Sequence, residues 1–237
     1  MKPALFSHSD CSIARFGDVV HLNTDRIADP LTAGVERYVG LEHITPEDLH
    51  IHSWGLVADG TTFTNAFKPG QVLFGKRRAY QRKVAVADFS GVCSGDIYVF
   101  ETRNPDVLLP ELLPFICQTE GFYEHAVGTS AGSLSPRTNW NQLADYEFPL
   151  PPLEEQHKII TTLQAAEDVI TSIETEILVL RTLKSSFIDA FFSSISETSV
   201  RTLGDLSLEK PKYGANAPAC KYVPGNPRYI RITDIDE

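Results

Sequence analysis

Apolar residues along the first 151 positions come in short runs broken by glycine and proline, whereas the stretch from Leu153 to Leu203 contains neither. The runs VLF (72–74), VAVADF (84–89) and DIYVFE (96–101) are β-branched and aromatic with turn residues between them, the pattern of strands. LPELLPFICQTEGFYEHAV (109–127) reads as helical. Residues 1–151 are therefore expected to form a mixed α/β (α+β) globular domain.

The second region has a different period. Apolar residues recur at Ile159, Leu163, Ala166, Ile170, Ile173, Ile177, Leu180, Phe187 and Phe191, in steps that alternate four and three, with Lys184 taking one slot. That is the heptad seam of a coiled-coil helix, expected over 152–195. Pro151 and Pro152 mark its start, Glu154 and Glu155 suit its first turn, and Arg181 and Lys184 lie toward the other end. At 1.5 Å per residue, roughly 40 residues make a rod of about 60 Å. A helix that long cannot bury its seam on one small domain, so the pattern calls for a second helix.

The last region echoes the first. RTLGDL (201–206) repeats the texture of RFGDVV (15–20), and RYIRITDIDE (228–237) that of RYVGLEHITPED (37–48). Two matches at nearly one offset indicate an internal repeat. Residues 196–237 are thus expected to begin a second, incomplete domain, since about 40 residues bury too little surface to stand alone.

Composition narrows the class. The chain has 237 residues, 42% of them hydrophobic and 10% aromatic, enough for a sizeable core. A net charge of −10 argues against a general nucleic-acid binder, although one basic patch can coexist with an acidic remainder. Cys11, Cys93, Cys117 and Cys220 are widely scattered with no C-x-x-C pair, which suits a reduced, intracellular protein. There is no signal-peptide pattern and no apolar run near the ~20 residues a membrane span needs. A soluble, cytoplasmic protein is expected.

The basic patch exists. KPGQVLFGKRRAYQRK (68–83) carries Lys68, Lys76, Arg77, Arg78, Arg82 and Lys83, with Tyr80 and Gln81 interleaved, and no acid occurs from Gly60 to Ala87. Lys and Arg hold phosphates, while Arg and Gln make paired hydrogen bonds to purine edges in the major groove. A solvated hairpin explains the same run, but its place between two strand signals suits a loop that enters a groove. GTSAGSLSPRTNW (128–140) offers small hydroxyl residues with Arg137 and Asn139, a phosphate-contacting composition. On composition alone, an ordinary Ser/Gly linker with Trp140 as a core anchor is the favoured reading of it. His50 and His52 would share one side of a strand; without a third ligand at a credible spacing they read as a structural pair, and no metal site is assigned. No glycine-rich phosphate loop, no N-P-P-Y or D-P-P-Y motif of amino-methyltransferases and no acid–lysine nuclease cluster stands out, so no catalytic residue is assigned.

Four stretches in order resemble the specificity subunit of type I restriction–modification systems: RYVGLEHITPED (37–48), GQVLFGKRRAYQRKV (70–84), ADFSGVCSGDIYVFE (87–101) and LSPRTNWNQLADYEFPLPPLEEQHKII (134–160). The last, a loop ending in PLPPLEEQ that opens a long helix, is the most specific, and YIRITDIDE at the end is similar to the start of a second recognition domain in that family. The resemblance implies two target recognition domains separated by two antiparallel long helices, each domain reading one half of a split DNA target. It implies that the helices set the spacing and dock methyltransferase (M) subunits, which bind S-adenosylmethionine and methylate adenine. A separate ATP-dependent restriction (R) subunit then cuts unmodified DNA. S-adenosylmethionine, ATP and Mg would be bound by those partners, with no cofactor in this chain. The expected DNA contacts are Lys76, Arg77, Arg78, Tyr80, Gln81, Arg82 and Lys83 with Ser133, Ser135, Arg137, Thr138 and Asn139.

The sequence departs from that pattern by holding one recognition domain, one long helix and the start of a second domain. The seam is therefore expected to pair antiparallel with a second copy, and such a two-fold dimer would read an inverted repeat around a spacer. Two other readings compete: a helical scaffold that docks the methyltransferase with little DNA binding of its own, and a solitary enzyme, which the missing cofactor and metal motifs disfavour.

Overall fold

The computed structural model describes residues 11–132 and 134–194. In chain order the elements are β1 (Ser12–Arg15), α1 (Phe16–Val19), β2 (Val20–Asn23), β3 (Arg37–Val39), β4 (Gly55–Leu56), β5 (Asn65–Phe67), β6 (Val72–Gly75), β7 (Val84–Val86), β8 (Gly91–Cys93) and β9 (Ile97–Thr102). They are followed by α2 (Leu113–Cys117), α3 (Glu120–Gly128), α4 (Trp140–Leu143), β10 (Glu147–Leu150) and α5 (Leu153–Ser193). The expected strands at 72–74, 84–89 and 96–101 are β6, β7 and β9. The helical reading of 109–127 holds with one break: the Thr119 side chain accepts the Phe122 N–H and caps α3, so α2 ends at Cys117.

Among the described residues three sheets form: β1–β10, β2–β9–β6–β7, and β4–β3–β8–β5, the last with a parallel β3–β8 pair. The alternation of strand side chains explains the layering. Val72, Phe74, Val84 and Phe100 face a core shared with α1, α2 and α3. Leu73, Ala85, Ile97 and Val99 face the opposite way, onto Val39, Phe67 and Cys93 of the third sheet. The β2–β9–β6–β7 sheet is thus covered on both sides, which is why β6, one of its two inner strands, reads as a continuous apolar run. Phe16, Phe74, Phe100 and Phe122 meet at ring separations of 5.0 to 5.8 Å, in edge-to-face, tilted and stacked geometries.

Gly17 of the RFGDVV segment serves a close approach. Its N–H donates to the Ala144 carbonyl at 2.9 Å, and a Cβ there would sit 2.7 Å from the Ala144 methyl group. Burial pushes the Cys93 thiol up to about 12 and raises that of Cys117 as well, so neither is a ready nucleophile. Cys220 and the repeat segment 196–237 lie outside the described residues.

The PLPPLEEQ motif has a physical role at the root of α5. Gln156 is 1% exposed; its side-chain oxygen accepts the Leu109 N–H at 2.9 Å and its amide donates to the carbonyls of Val107 (2.8 Å) and Pro151 (2.9 Å). Ile160 is buried and Ile159 half-buried against the same core. Gln156→Ala strands one donor and two acceptors and is expected to cost about 2–4 kcal/mol. Chemical denaturation checks this; a loss below about 0.5 kcal/mol would show that water replaces the amide.

Farther along, α5 is exposed. Twelve large apolar side chains between Val169 and Phe192 are each at least 44% exposed, among them the seam residues Ile170, Ile173, Ile177, Leu180, Phe187 and Phe191. Among the described residues, no helix is long and apolar enough to cross a membrane.

Candidate nucleic-acid interface

Two segments that are far apart in sequence meet on one surface. Residues 76–83 connect β6 to β7, which pair as an antiparallel hairpin. The 134–139 loop runs beside the first half of that connection: Thr138 N–H donates to the Lys76 carbonyl at 2.9 Å, and Arg78 N–H donates to Pro136 at 2.8 Å. A β-bridge joins Arg77 to Arg137 between these bonds. The 134–139 loop is thus hydrogen-bonded to the hairpin, and Trp140 packs half-buried against the core.

The side chains converge as well. Asp96, just before β9, accepts Arg137 Nε at 2.7 Å and Arg77 Nη1 at 3.4 Å. Ser135 Oγ accepts both Arg77 Nη2 at 3.1 Å and Arg78 Nη2 at 3.3 Å. Lys76 Nζ lies 4.6 Å from the Tyr98 ring centroid, and the Tyr98 hydroxyl donates to the Thr138 carbonyl at 3.0 Å. Burial pushes the Asp96 carboxyl up, but Arg137 and Arg77 outweigh it and hold the group below its ordinary range. Burial also lowers Lys76, opposed by Asp96. Lys76, Arg77 and Arg137 share this one carboxylate while Arg78 bonds Ser135 beside them, so the cluster keeps an excess of positive charge. The Nε–H groups of Arg77 and Arg78 are buried without a protein acceptor among the described residues.

Backbone conformation is unusual here. Arg78 (φ 55°) and Arg82 (φ 54°) are left-handed on either side of the 79–81 turn. A side-chain-bearing residue spends about 1–2 kcal/mol on that conformation, and such residues gather at functional sites.

The other candidates divide. Tyr80 is 55% exposed at the turn, with Gln81 half-buried beside it. Arg82 is committed elsewhere: it pairs with Glu120 and with Glu47 (3.6 Å) and lies 5.1 Å from the Tyr123 ring. Lys83 Nζ donates to the Leu41 carbonyl. Thr138 is 2% exposed and supports the loop from beneath, donating to the Ala126 carbonyl and meeting Ser130. Asn139 caps α4 by accepting the Asn141 N–H, and Ser133 lies outside the described residues. Asp96 and Tyr98 are site residues that sequence reasoning missed; both sit in the strand signal DIYVFE, where only the strand was read.

The histidine pair also needs correction. His50 and His52 are not in a strand, and the Asp48 carboxylate approaches both rings. It was visible as an aspartate two residues before His50.

With this geometry in place, the class of protein is defined. The type I restriction modification DNA specificity domain matches residues 10–180, and the chain belongs to that family. It is 29% identical over 150 residues to the EcoDI specificity subunit of the type I restriction enzyme of Escherichia coli, covering 59% of this chain and 32% of that one. The fold matches the HsdS subunit from Thermoanaerobacter tengcongensis with a TM-score of 0.58 at 22% identity, covering 77% of this chain and 47% of the other. It matches the S subunit of the type I restriction–modification system from M. genitalium with a TM-score of 0.56 at 16% identity, over 80% and 47%. A chain from a structure of type I restriction–modification complex assembly and conformational transition gives 0.59 at 21% identity, over 82% and 52%. The chain therefore spans about a third of the curated relative and about half of each solved chain.

Proposed function

We propose that the chain is a sequence-specific DNA recognition subunit that directs the methyltransferase and restriction subunits of a type I restriction–modification system to a split target site. The observation that carries this is the convergence of Lys76, Arg77, Arg78 and Arg137 on one surface around Ser135 and Asp96. Cations on a hairpin with a hydroxyl-rich loop beside it supply both phosphate and base-edge contacts. In this reading residues 1–151 are the target recognition domain, 152–195 the spacer and docking helix, and 196–237 the start of a second recognition domain. The chain has no catalytic role; S-adenosylmethionine, ATP and Mg belong to the partner subunits, and the assembly works in the cytoplasm.

The exposed seam of α5 pairs with a second copy in antiparallel orientation, placing two recognition domains on an inverted repeat. Leu178, Val179 and Phe192 are exposed and off the seam, so the apolar surface exceeds one two-helix contact. That excess suits docking of the methyltransferase subunit. It also favours the second reading, a helical scaffold with little DNA binding of its own. The two readings separate when duplex DNA is titrated with the chain plus methyltransferase subunit, before and after Arg77, Arg78 and Arg137 are replaced by alanine. A reader loses DNA and keeps its partner; a scaffold changes in neither.

A further inference from the structure

We propose that Asp48, His50 and His52 form a binding site for a borderline divalent transition metal ion, with Zn²⁺ as the representative. One ligand atom from each of the three lies within 4.8 Å of the others. The Asp48 carboxylate is the centre: Oδ2 is 2.8 Å from His52 Nε2, and Oδ1 is 3.4 Å from His50 Nδ1. The two imidazole rings are 6.0 Å apart between centroids.

The backbone presents this set in advance. Leu49 and Ile51 are buried, Leu49 in the core shared with the helices and Ile51 in the core between the sheets. With both anchored, the segment, which bends at His50, leaves Asp48 half-buried and His50 and His52 exposed beside it. The Val86 N–H donates to the Leu49 carbonyl at 2.8 Å, tying the segment to β7, and the Asp48 carboxylate accepts the His50 backbone N–H at 2.8 Å. The Asp48 side chain is only 20% exposed, against 53% and 59% for the imidazoles, so the carboxylate is the fixed member and the rings swing to meet an ion.

The donor set selects the metal. Two imidazole nitrogens and one carboxylate oxygen suit Zn²⁺, Ni²⁺ or Cu²⁺, whereas Ca²⁺ and Mg²⁺ want oxygen ligands. Bonds of about 2.0–2.2 Å place tetrahedral donors roughly 3.3 Å apart. The three atoms, within 4.8 Å of one another, are near that spacing. Three protein ligands leave a coordination position for water or a further donor. The ion would clamp the 48–52 segment beside the root of the basic hairpin, which is tied to it where the Glu47 N–H donates to the Arg82 carbonyl.

The test is calorimetric titration of the full chain, stripped with chelator, with ZnCl₂ alone. The expected result is one equivalent bound per chain and a thermal midpoint that rises with added Zn²⁺. Both are lost in the His50→Gln, His52→Gln double variant, while the metal-free midpoint is unchanged because the rings are exposed. The single His52→Gln variant weakens the event at least tenfold and covers the case in which the double variant fails to fold. Substituting Co²⁺ gives a visible spectrum free of the thiolate charge-transfer band, which separates this site from the cysteines. No saturable binding by the wild-type chain, binding that survives the histidine substitutions, or a thiolate band would overturn the proposal.

Discussion

A chain carrying Arg77→Ala, Arg78→Ala and Arg137→Ala binds its DNA target at least about 100-fold more weakly than wild type, with its methyltransferase partner still bound. Each arginine at a base edge or phosphate is worth about 1–3 kcal/mol, so three lost together exceed two decades in affinity even at the low end. The three guanidinium groups are also held by Ser135 and Asp96, so their loss acts on loop order as well as on DNA contact. Lysine at the same positions separates the two causes. It keeps the charge and the salt dependence but not the planar, forked donor geometry, so base discrimination falls while phosphate binding is retained. Arg82→Ala behaves differently. Arg82 already pairs with Glu47 and Glu120, so its loss perturbs the neighbourhood of Tyr123 more than it perturbs DNA affinity. Anisotropy titrations at two salt concentrations check all of these. A triple alanine variant that binds DNA like wild type would remove these residues from the interface.

If α5 pairs with a second copy as proposed, Ile173→Asp, Ile177→Asp and Leu180→Asp together leave the chain a monomer at micromolar concentration. The three wild-type side chains are 51%, 44% and 62% exposed on α5 and share one heptad stripe. Burying an Ile or Leu is worth about 1.5–3 kcal/mol, and a symmetric pairing buries each twice. Aspartate forfeits that gain and puts like charges across the seam, so the dimer dissociation constant rises by at least two decades. Sedimentation equilibrium reads the mass directly. The recognition domain keeps its thermal midpoint, because its contact with α5 runs through Gln156, Ile159 and Ile160 instead. Wild-type chain that sediments as a monomer at micromolar concentration would sink the pairing.

The long elements were legible because their periods repeat. Nine seam positions and a stretch without glycine or proline specify α5, and β-branched runs specify β6, β7 and β9. The short strands β3, β4 and β8 carry no β-branched run or period of their own; they exist because long-range pairing and burial beneath the central sheet stabilise them. The site was half legible. Composition marked 76–83 and 128–140, but nothing local says that Pro136 and Arg78 are hydrogen-bonded neighbours. Composition also could not separate surface from support. Thr138 is buried and Arg82 is tied to two carboxylates, while Asp96, inside a strand signal, organises the arginines. Asp48 carries no such signal, because one aspartate two residues before His50 is common in solvated segments.

The central claim, that this chain reads DNA sequence, is tested most directly by selecting from randomised duplex DNA with the chain and its methyltransferase subunit together at moderate salt. The account predicts a short enriched motif repeated in inverted orientation around a fixed spacer. One unrepeated half-site would keep the reader and remove the symmetric pair. No enrichment from an intact complex would contradict the claim and leave the chain as a scaffold.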